Sequence, residues 1–227
     1  MSALATSAND RTATNVRLPG HKDRLLILGQ TGSGKTQAAA WHLSRADFDV
    51  RPWVVYDFKG DELLSEIRAT EIGVGEIPRK PGLYIVRPLP SQKEEVEFQM
   101  WGIWAQENTG VYVDEGYMVE NDAWNALLTQ GRSKHIPMIT LAQRPAWLTR
   151  FVFSESGFFQ VFYLQDKKDR ERVRSFVPGD LETRLPEYHS YYYDVGRDKM
   201  VVFRPVPKKE EIIDTFHSRI LPKRRWI

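Results

Sequence analysis

The sequence predicts an α/β fold: a mostly parallel central sheet with helices on both faces, finished by a C-terminal β-hairpin and helix. Three observations predict it. Short apolar runs alternate with segments of helical spacing along most of the chain. The first apolar run passes through a glycine-rich turn directly into a helix-forming run. Two late aromatic and apolar runs are joined through Gly196-Arg197-Asp198, a hairpin spacing. The 227 residues, 41% of them hydrophobic, suit one domain with short arms.

The elements follow in order. Residues 1–22 are small, polar and without periodicity, which predicts a flexible arm. The single domain is expected over 23–221. "RLLILG" (24–29) reads as a buried parallel strand, and a helix should open at the Gly34-Lys35 step and reach about Arg45. "WVVYDF" (53–58) is a second strand, and "KGDELLSEIRAT" (59–70) has helical spacing. A turn-rich loop over 73–82 precedes the strand "LYIVRP" (83–88). The stretch 91–108 opens with Ser91 as a cap and three early glutamates, a helix start. "GVYVDEG" (110–116) is a fourth strand, 121–134 a helix with a basic end, and "PMITLAQ" (137–143) a fifth strand. "FFQVFYL" (158–164) is a sixth, followed by a charged helix over 166–177. The runs 188–195 and 200–205 form the hairpin, 208–221 is a final amphipathic helix, and 222–227 is a basic and aromatic tail.

In parallel sheets ligands sit beyond the carboxyl ends of the strands. Gly29, Asp57, Asp114 and Gln143 all occupy such ends and are expected on one rim. Composition narrows the chemistry. The chain has no cysteine, so disulfides and Cys-based zinc sites are excluded. The first residues lack the basic-then-apolar pattern of a leader, and no run of about 18 apolar residues exists to span a bilayer. The five histidines show no metal spacing. A net charge of +2 is too mild to indicate nucleic acid by itself.

Three motifs carry the chemistry. Gly29-Gln30-Thr31-Gly32-Ser33-Gly34-Lys35-Thr36 matches G-x-x-x-x-G-K-[ST] between a strand and a helix. Its glycines let backbone N–H groups turn toward phosphate oxygens, and the helix adds its positive end. Lys35 would reach the β- and γ-phosphates of ATP, and the Thr36 hydroxyl would ligate Mg²⁺. Second, Val111-Tyr112-Val113-Asp114-Glu115 is an apolar strand ending in two acids. Asp114 would hold the magnesium, and Glu115 would polarise a water for attack on the γ-phosphate. A glutamate beside the metal aspartate points to ATP hydrolysis rather than to a small-molecule kinase. No Asn-Lys-x-Asp stretch is present to read guanine. Third, Gln143 ends the strand of "TLAQRP" (140–145), where an amide could feel the γ-phosphate and report its loss.

"GQTGSGKT", the aspartate and lysine of "YDFKG", "VYVDEG" and "GRSKHIPMITLAQRP" occur in that order. Together they resemble the HerA/FtsK superfamily of DNA-pumping ATPases, over about residues 24–177. The chain is most similar to the minimal genome-packaging ATPases of tailless, internal-membrane bacteriophages. That resemblance implies a RecA-like P-loop core and a ring, a hexamer, of identical subunits. It also implies double-stranded DNA as cargo, partners at a capsid vertex or on a viral internal membrane, and a place at the virion vertex or in the host cytoplasm. Two alternatives stay open: a zonula-occludens-toxin-like assembly or DNA-transfer ATPase, and a vertex or membrane-docking component that does not pump. The resemblance further implies an arginine reaching a neighbour's phosphate. Arg132 is the first choice, as a helix-end residue expected on the rim of Gln143, with Arg144, Arg170 and Arg172 also open.

DNA-facing candidates are the Lys167, Arg170 and Arg174 face, the loop of Arg79 and Lys80, and the tail cations Arg219, Lys223, Arg224 and Arg225. Among the seven tryptophans, Trp101 and Trp104 share a helix at i, i+3 and are expected in the core or at a subunit contact. Trp226 and Ile227 follow the basic run and read first as a frayed terminus, with a tip that could dock on a membrane interface or a partner as the alternative.

Overall fold

The computed structural model describes residues 16–220. Residues 1–15 of the expected arm lie outside the described residues, as does the tail 222–227 with Lys223, Arg224, Arg225, Trp226 and Ile227. The elements run β1 (Arg24–Leu28), α1 (Lys35–Leu43), β2 (Pro52–Tyr56), α2 (Glu62–Glu66), β3 (Thr70–Glu71) and β4 (Gly82–Val86). Next come α3 (Lys93–Gln106), β5 (Gly110–Val113), α4 (Asp122–Gln130), β6 (Met138–Ala142), α5 (Arg150–Ser154) and β7 (Phe158–Val161). The chain closes with α6 (Lys167–Arg174), β8 (Ser190–Asp194), β9 (Lys199–Phe203) and α7 (Lys209–Ile220).

One nine-stranded sheet has the order β3-β4-β2-β5-β6-β1-β7-β8-β9. Every pairing from β3 to β7 is parallel; β8 and β9 add antiparallel at one edge. β1 lies between β6 and β7, fully buried, which explains why "RLLIL" is apolar on both faces. Leu26 and Leu28 pack into one layer with Met100, Trp124, Phe153 and Val173 of α3 to α6. Leu25 and Ile27 pack into the other with Ala39, Leu64 and Phe216 of α1, α2 and α7. The period-two alternation of a strand thus feeds two separate helical layers.

Short helices start where acids or amides satisfy free N–H groups. Asp61 accepts from Leu63 N at 2.9 Å, Asn121 from Trp124 N at 2.8 Å, and Asp166 from Lys168 N at 2.8 Å.

Four expectations change. The helix over 59–70 shrinks to the five residues of α2, because Ile67 turns extended and buries itself before the edge strand β3. Ser91 does not cap α3; Gln92 holds that position, and its side chain accepts from Leu89 N instead. α5 has no counterpart in the sequence reading. Arg17, expected in the arm, is held to the domain: it pairs with Asp23 at 3.4 Å and Asp194 at 3.7 Å, its guanidinium covers the Phe158 ring, and its carbonyl accepts from Tyr192 Oη. No helix among the described residues is long and apolar enough to cross a membrane.

Candidate functional site

The loop from Gly29 to Gly34 folds over the carboxyl end of β1. Gly29 N donates to Ala142 O of β6 at 3.2 Å. A Cβ at Gly29 would stand 2.5 Å from Ser33 Oγ and 2.8 Å from Phe162 Cβ, so only glycine fits. Gly34 caps α1 at φ 90°, a left-handed conformation. That geometry delivers Lys35, the first residue of α1, into the interior at 5% exposure. Thr36 follows half-buried on the first turn.

β5 delivers the acids. Asp114 N donates to Tyr56 O of β2 at 3.0 Å, which seats both acids beside the loop. Asp114 and Glu115 are buried. Burial pushes the Asp114 carboxyl up to about 6; Lys35 opposes the rise and Glu115 adds to it. Burial lowers the Lys35 ammonium, and Glu115 and Asp114 counter that. Asp114 Oδ1 is buried with no hydrogen-bond partner. Such an atom within the field of Lys35 fits a hard cation taking oxygen ligands. Among the described residues no cluster of three or more His, Cys, Asp or Glu could hold a metal unaided. A cation here would therefore share its shell with phosphate and water.

Glu115 sits at φ 65°, ψ 72°, a strained setting for a residue with a Cβ. The twist turns its carboxylate back under the strand ends. Oε1 stands 3.8 Å from Lys35 Nζ and accepts from Gln143 Nε2 at 2.6 Å; Oε2 accepts from Gln143 N at 3.3 Å. Gln143 Oε1 in turn accepts from Thr31 Oγ1 at 2.9 Å. One amide thus joins the glycine-rich loop to the acid.

The expected rim of Gly29, Asp57, Asp114 and Gln143 is present. Asp57 accepts from Asp61 N at 3.0 Å and pairs with Arg87 at 3.3 Å. The sequence reading gave Lys59 no role, yet its ammonium donates to Glu115 Oε1. Its signal was the aspartate and lysine of "YDFKG", one of the stretches that carry the resemblance.

Arg132 does not take the rim position expected of it. It follows α4, which runs back from β5 to the amino edge of the sheet, and its charge is felt by Arg24 at the start of β1. It does not share the rim of Gln143, because a helix between parallel strands reverses the chain. Of the other arginines, Arg144 pairs with Asp166 and Asp169, Arg170 with Glu182, and Arg172 donates to Leu148 O.

The basic face of α6 is largely neutralised. Lys167 meets Glu171 at 3.6 Å, and Arg170 and Arg174 share Glu182. Arg219 pairs with Asp49 and covers the Phe48 ring. Trp104 packs against the core, but Trp101 is 39% exposed, so the pair is not wholly internal.

A cavity of about 360 Å³ opens beside Gly34 and is lined by Gln37, Gln160, Phe162, Tyr188 and Val206. Its aromatic and apolar walls carry two amides and the cations Arg204 and Lys208, a lining that suits a flat heterocycle with polar edges.

A glycine-rich phosphate loop, a buried lysine, an acidic pair and an amide on one rim of a parallel sheet define a P-loop ATPase. No family model matches the chain. It is 49% identical over 215 residues to the DNA packaging ATPase P9 of Enterobacteria phage PRD1, across 88% of this chain and 95% of that protein. The chain belongs to the family of that packaging ATPase. The fold also matches the genome packaging NTPase B204 of Sulfolobus turreted icosahedral virus 2, solved with sulfate. The TM-score is 0.68 at 16% identity, across 84% of this chain and all of the other. The pCW3 conjugation coupling protein TcpA, solved with ATPgS, matches with a TM-score of 0.57 at 15% identity, over 85% of this chain and 64% of its own.

Proposed function

We propose that this ATPase couples hydrolysis to the translocation of double-stranded DNA, loading a viral genome into a preformed capsid. The observation that carries the reading is the 49% identity, over nearly nine-tenths of the chain, to a protein named for DNA packaging. The site geometry supports the hydrolytic half of it.

In this scheme Lys35 and the N–H groups of Gly29 to Thr36 hold the β- and γ-phosphates of ATP. The cavity beside Gly34 and Gln37 takes the nucleoside. Thr36 and Asp114 would hold Mg²⁺, and the ion would supply positive charge to the transferred phosphoryl group. Glu115 orients water and accepts its proton as oxygen bonds to the γ-phosphorus and the bridging bond breaks, leaving ADP and phosphate. Gln143, tied to both Thr31 and Glu115, reports the loss of the γ-phosphate to β6. The reading extends to a ring, a hexamer, around the DNA, with capsid vertex proteins or an internal membrane as docking partners at the virion vertex or in the host cytoplasm. In such a ring an arginine of the neighbouring subunit, Arg132 as first choice, would reach the γ-phosphate.

ATPase assays with and without double-stranded DNA test the proposal on the wild type, Lys35→Ala and Glu115→Gln. DNA accelerates the wild type. Lys35→Ala loses nucleotide binding. Glu115→Gln keeps binding and loses about 10²–10⁴-fold in turnover. Normal turnover in Glu115→Gln removes the base assignment. A rate indifferent to DNA but responsive to lipid or coat protein overturns the pump.

A further inference from the structure

A groove of about 440 Å³ opens on the carboxyl edge of the sheet, between the first turns of α3 and the 3-10 turn Gly116–Val119 that follows Glu115. Its walls are apolar: Phe58, Leu89, Val96, Tyr117 and Met118. Leu89 is 63% exposed and Met118 36%, and Phe98 of α3 is 65% exposed beside them. The hydrolysis scheme uses none of these side chains. Large apolar groups left in water around one concavity mark a docking surface.

The rim of the groove is acidic. Glu94, Glu97 and Glu120 stand on it, with Lys93 as the one cation in the lining. None of the three acids has an ion-pair partner among the described residues. Glu94 offsets the positive start of α3, but Glu97 and Glu120 have no such use. Nucleic-acid phosphates or an anionic lipid surface would be repelled here. The occupant that fits is a basic segment with an aromatic anchor. The chain itself carries one, Lys223-Arg224-Arg225-Trp226-Ile227.

Distance decides whose groove that segment enters. α7 packs in the layer of α1 and α2, and Arg219 near its end donates to Ser44 O at 2.7 Å, where α1 finishes at the amino edge. The groove belongs to the other layer, through Val96, and to the opposite edge. Crossing a five-residue strand takes about 17 Å, and passing from one helical layer to the other about 20 Å. The separation is therefore about 26 Å even on a straight line through the sheet, and longer around it. From Ile220, the six residues to Trp226 span about 21 Å at full extension. The segment falls short of its own groove.

We propose that the basic, aromatic tail of one copy docks in the α3 groove of a neighbouring copy. Trp226 enters between Leu89 and Met118, and Lys223, Arg224 and Arg225 meet Glu94, Glu97 and Glu120. The two surfaces differ, so the contact is head-to-tail and repeats from copy to copy until a ring closes. The inference deepens the ring of the proposed function and rests on it.

The test exploits a chain without cysteine. Tagged full-length Trp226→Cys is mixed with untagged full-length Met118→Cys under mild oxidation, and linked chains are measured on a non-reducing gel. The tagged-to-untagged product forms. Val202→Cys, 49% exposed on the far edge strand β9, gives at least about tenfold less. Adding Lys223→Glu/Arg224→Glu/Arg225→Glu to the tagged chain cuts the yield about tenfold, and Glu94→Lys/Glu97→Lys/Glu120→Lys in its partner restores part of it. Where Met118→Cys does not fold, Leu89→Cys takes its place. Equal yields with Val202→Cys, or a yield indifferent to the charge reversal, overturn the proposal. So does the double variant Met118→Cys/Trp226→Cys closing its disulfide within one chain. Wild-type binding to phosphatidylglycerol vesicles that is lost in Trp226→Ala, with no cross-link, overturns it in favour of a membrane. Sedimentation of the wild type with a non-hydrolysable ATP analogue, Mg²⁺ and DNA separates the failures. A chain that never self-associates removes the ring and this contact together, whereas an assembly without the cross-link removes only the contact.

Discussion

At the residue scale, burial sets the terms for every ionisable group that matters. Asp114 has lost its water and gained no donor at Oδ1, so its charge is held at a cost until a cation arrives. Elsewhere the same physics makes an acid-sensitive point. His42 is buried and joined to Gln160 at 2.9 Å; burial depresses it to about 4, the Gln160 bond opposes that, and Arg45 adds to it. A histidine whose folded pKa lies below its unfolded value near 6.5 contributes stability that is complete above pH 6.5. That contribution is lost as pH falls through about 4. The loss amounts to about 3 kcal/mol over that window. Urea midpoints across pH 4–7 should fall steeply in the wild type and more gently in His42→Gln. Identical slopes would remove His42 from the account. Lys35, Asp114 and Gln143 could be read from residue order, because the motif fixes their neighbours. The lysine of "YDFKG" stood out too, but the contact of Lys59 with Glu115 did not, since only the twist at Glu115 brings that carboxylate under it.

At the element scale, the turn into α1 is a test of backbone conformation against space. Gly32 and Gly34 both have positive φ, 77° and 90°. A Cβ at Gly32 meets nothing within 4 Å, whereas one at Gly34 comes 3.1 Å from Tyr188 Cδ1. Gly32→Ala should cost about 1–2 kcal/mol from the left-handed conformation alone. Gly34→Ala should cost more and narrow the cavity mouth. Chemical denaturation of both variants checks the order; equal losses would mean that Tyr188 yields. Strands and long helices were legible because their apolar periods match what the sheet buries: β1, β2, β5 and β6 fall where expected. β3 was not legible: two exposed residues carry no apolar pattern, and only the ladder with β4 makes them a strand. Arg132 was misplaced for a related reason. Sequence shows that a residue ends a helix but not which edge of the sheet that end reaches, unless the return of each βαβ unit is followed.

At the scale of the whole molecule, the chain is stabilised by what its rim binds. A ligand present at about 100 times its dissociation constant adds about 2.7 kcal/mol to the folded state. For a domain of this size that should raise Tm by about 5–10 °C. Thermal melts with the non-hydrolysable analogue and Mg²⁺ should show this shift in the wild type and none in Lys35→Ala; a shift surviving in the variant would place the nucleotide elsewhere. The order β5-β6-β1 has a mechanical consequence. The strands carrying the acids, the bridging amide and the phosphate loop are immediate neighbours, laced together by parallel ladders in fixed register. They cannot slide apart without unzipping the middle of the sheet. Recoil from a departing phosphate is therefore discharged outside that block, in the loops at its rim or as a displacement of the block as one solid piece.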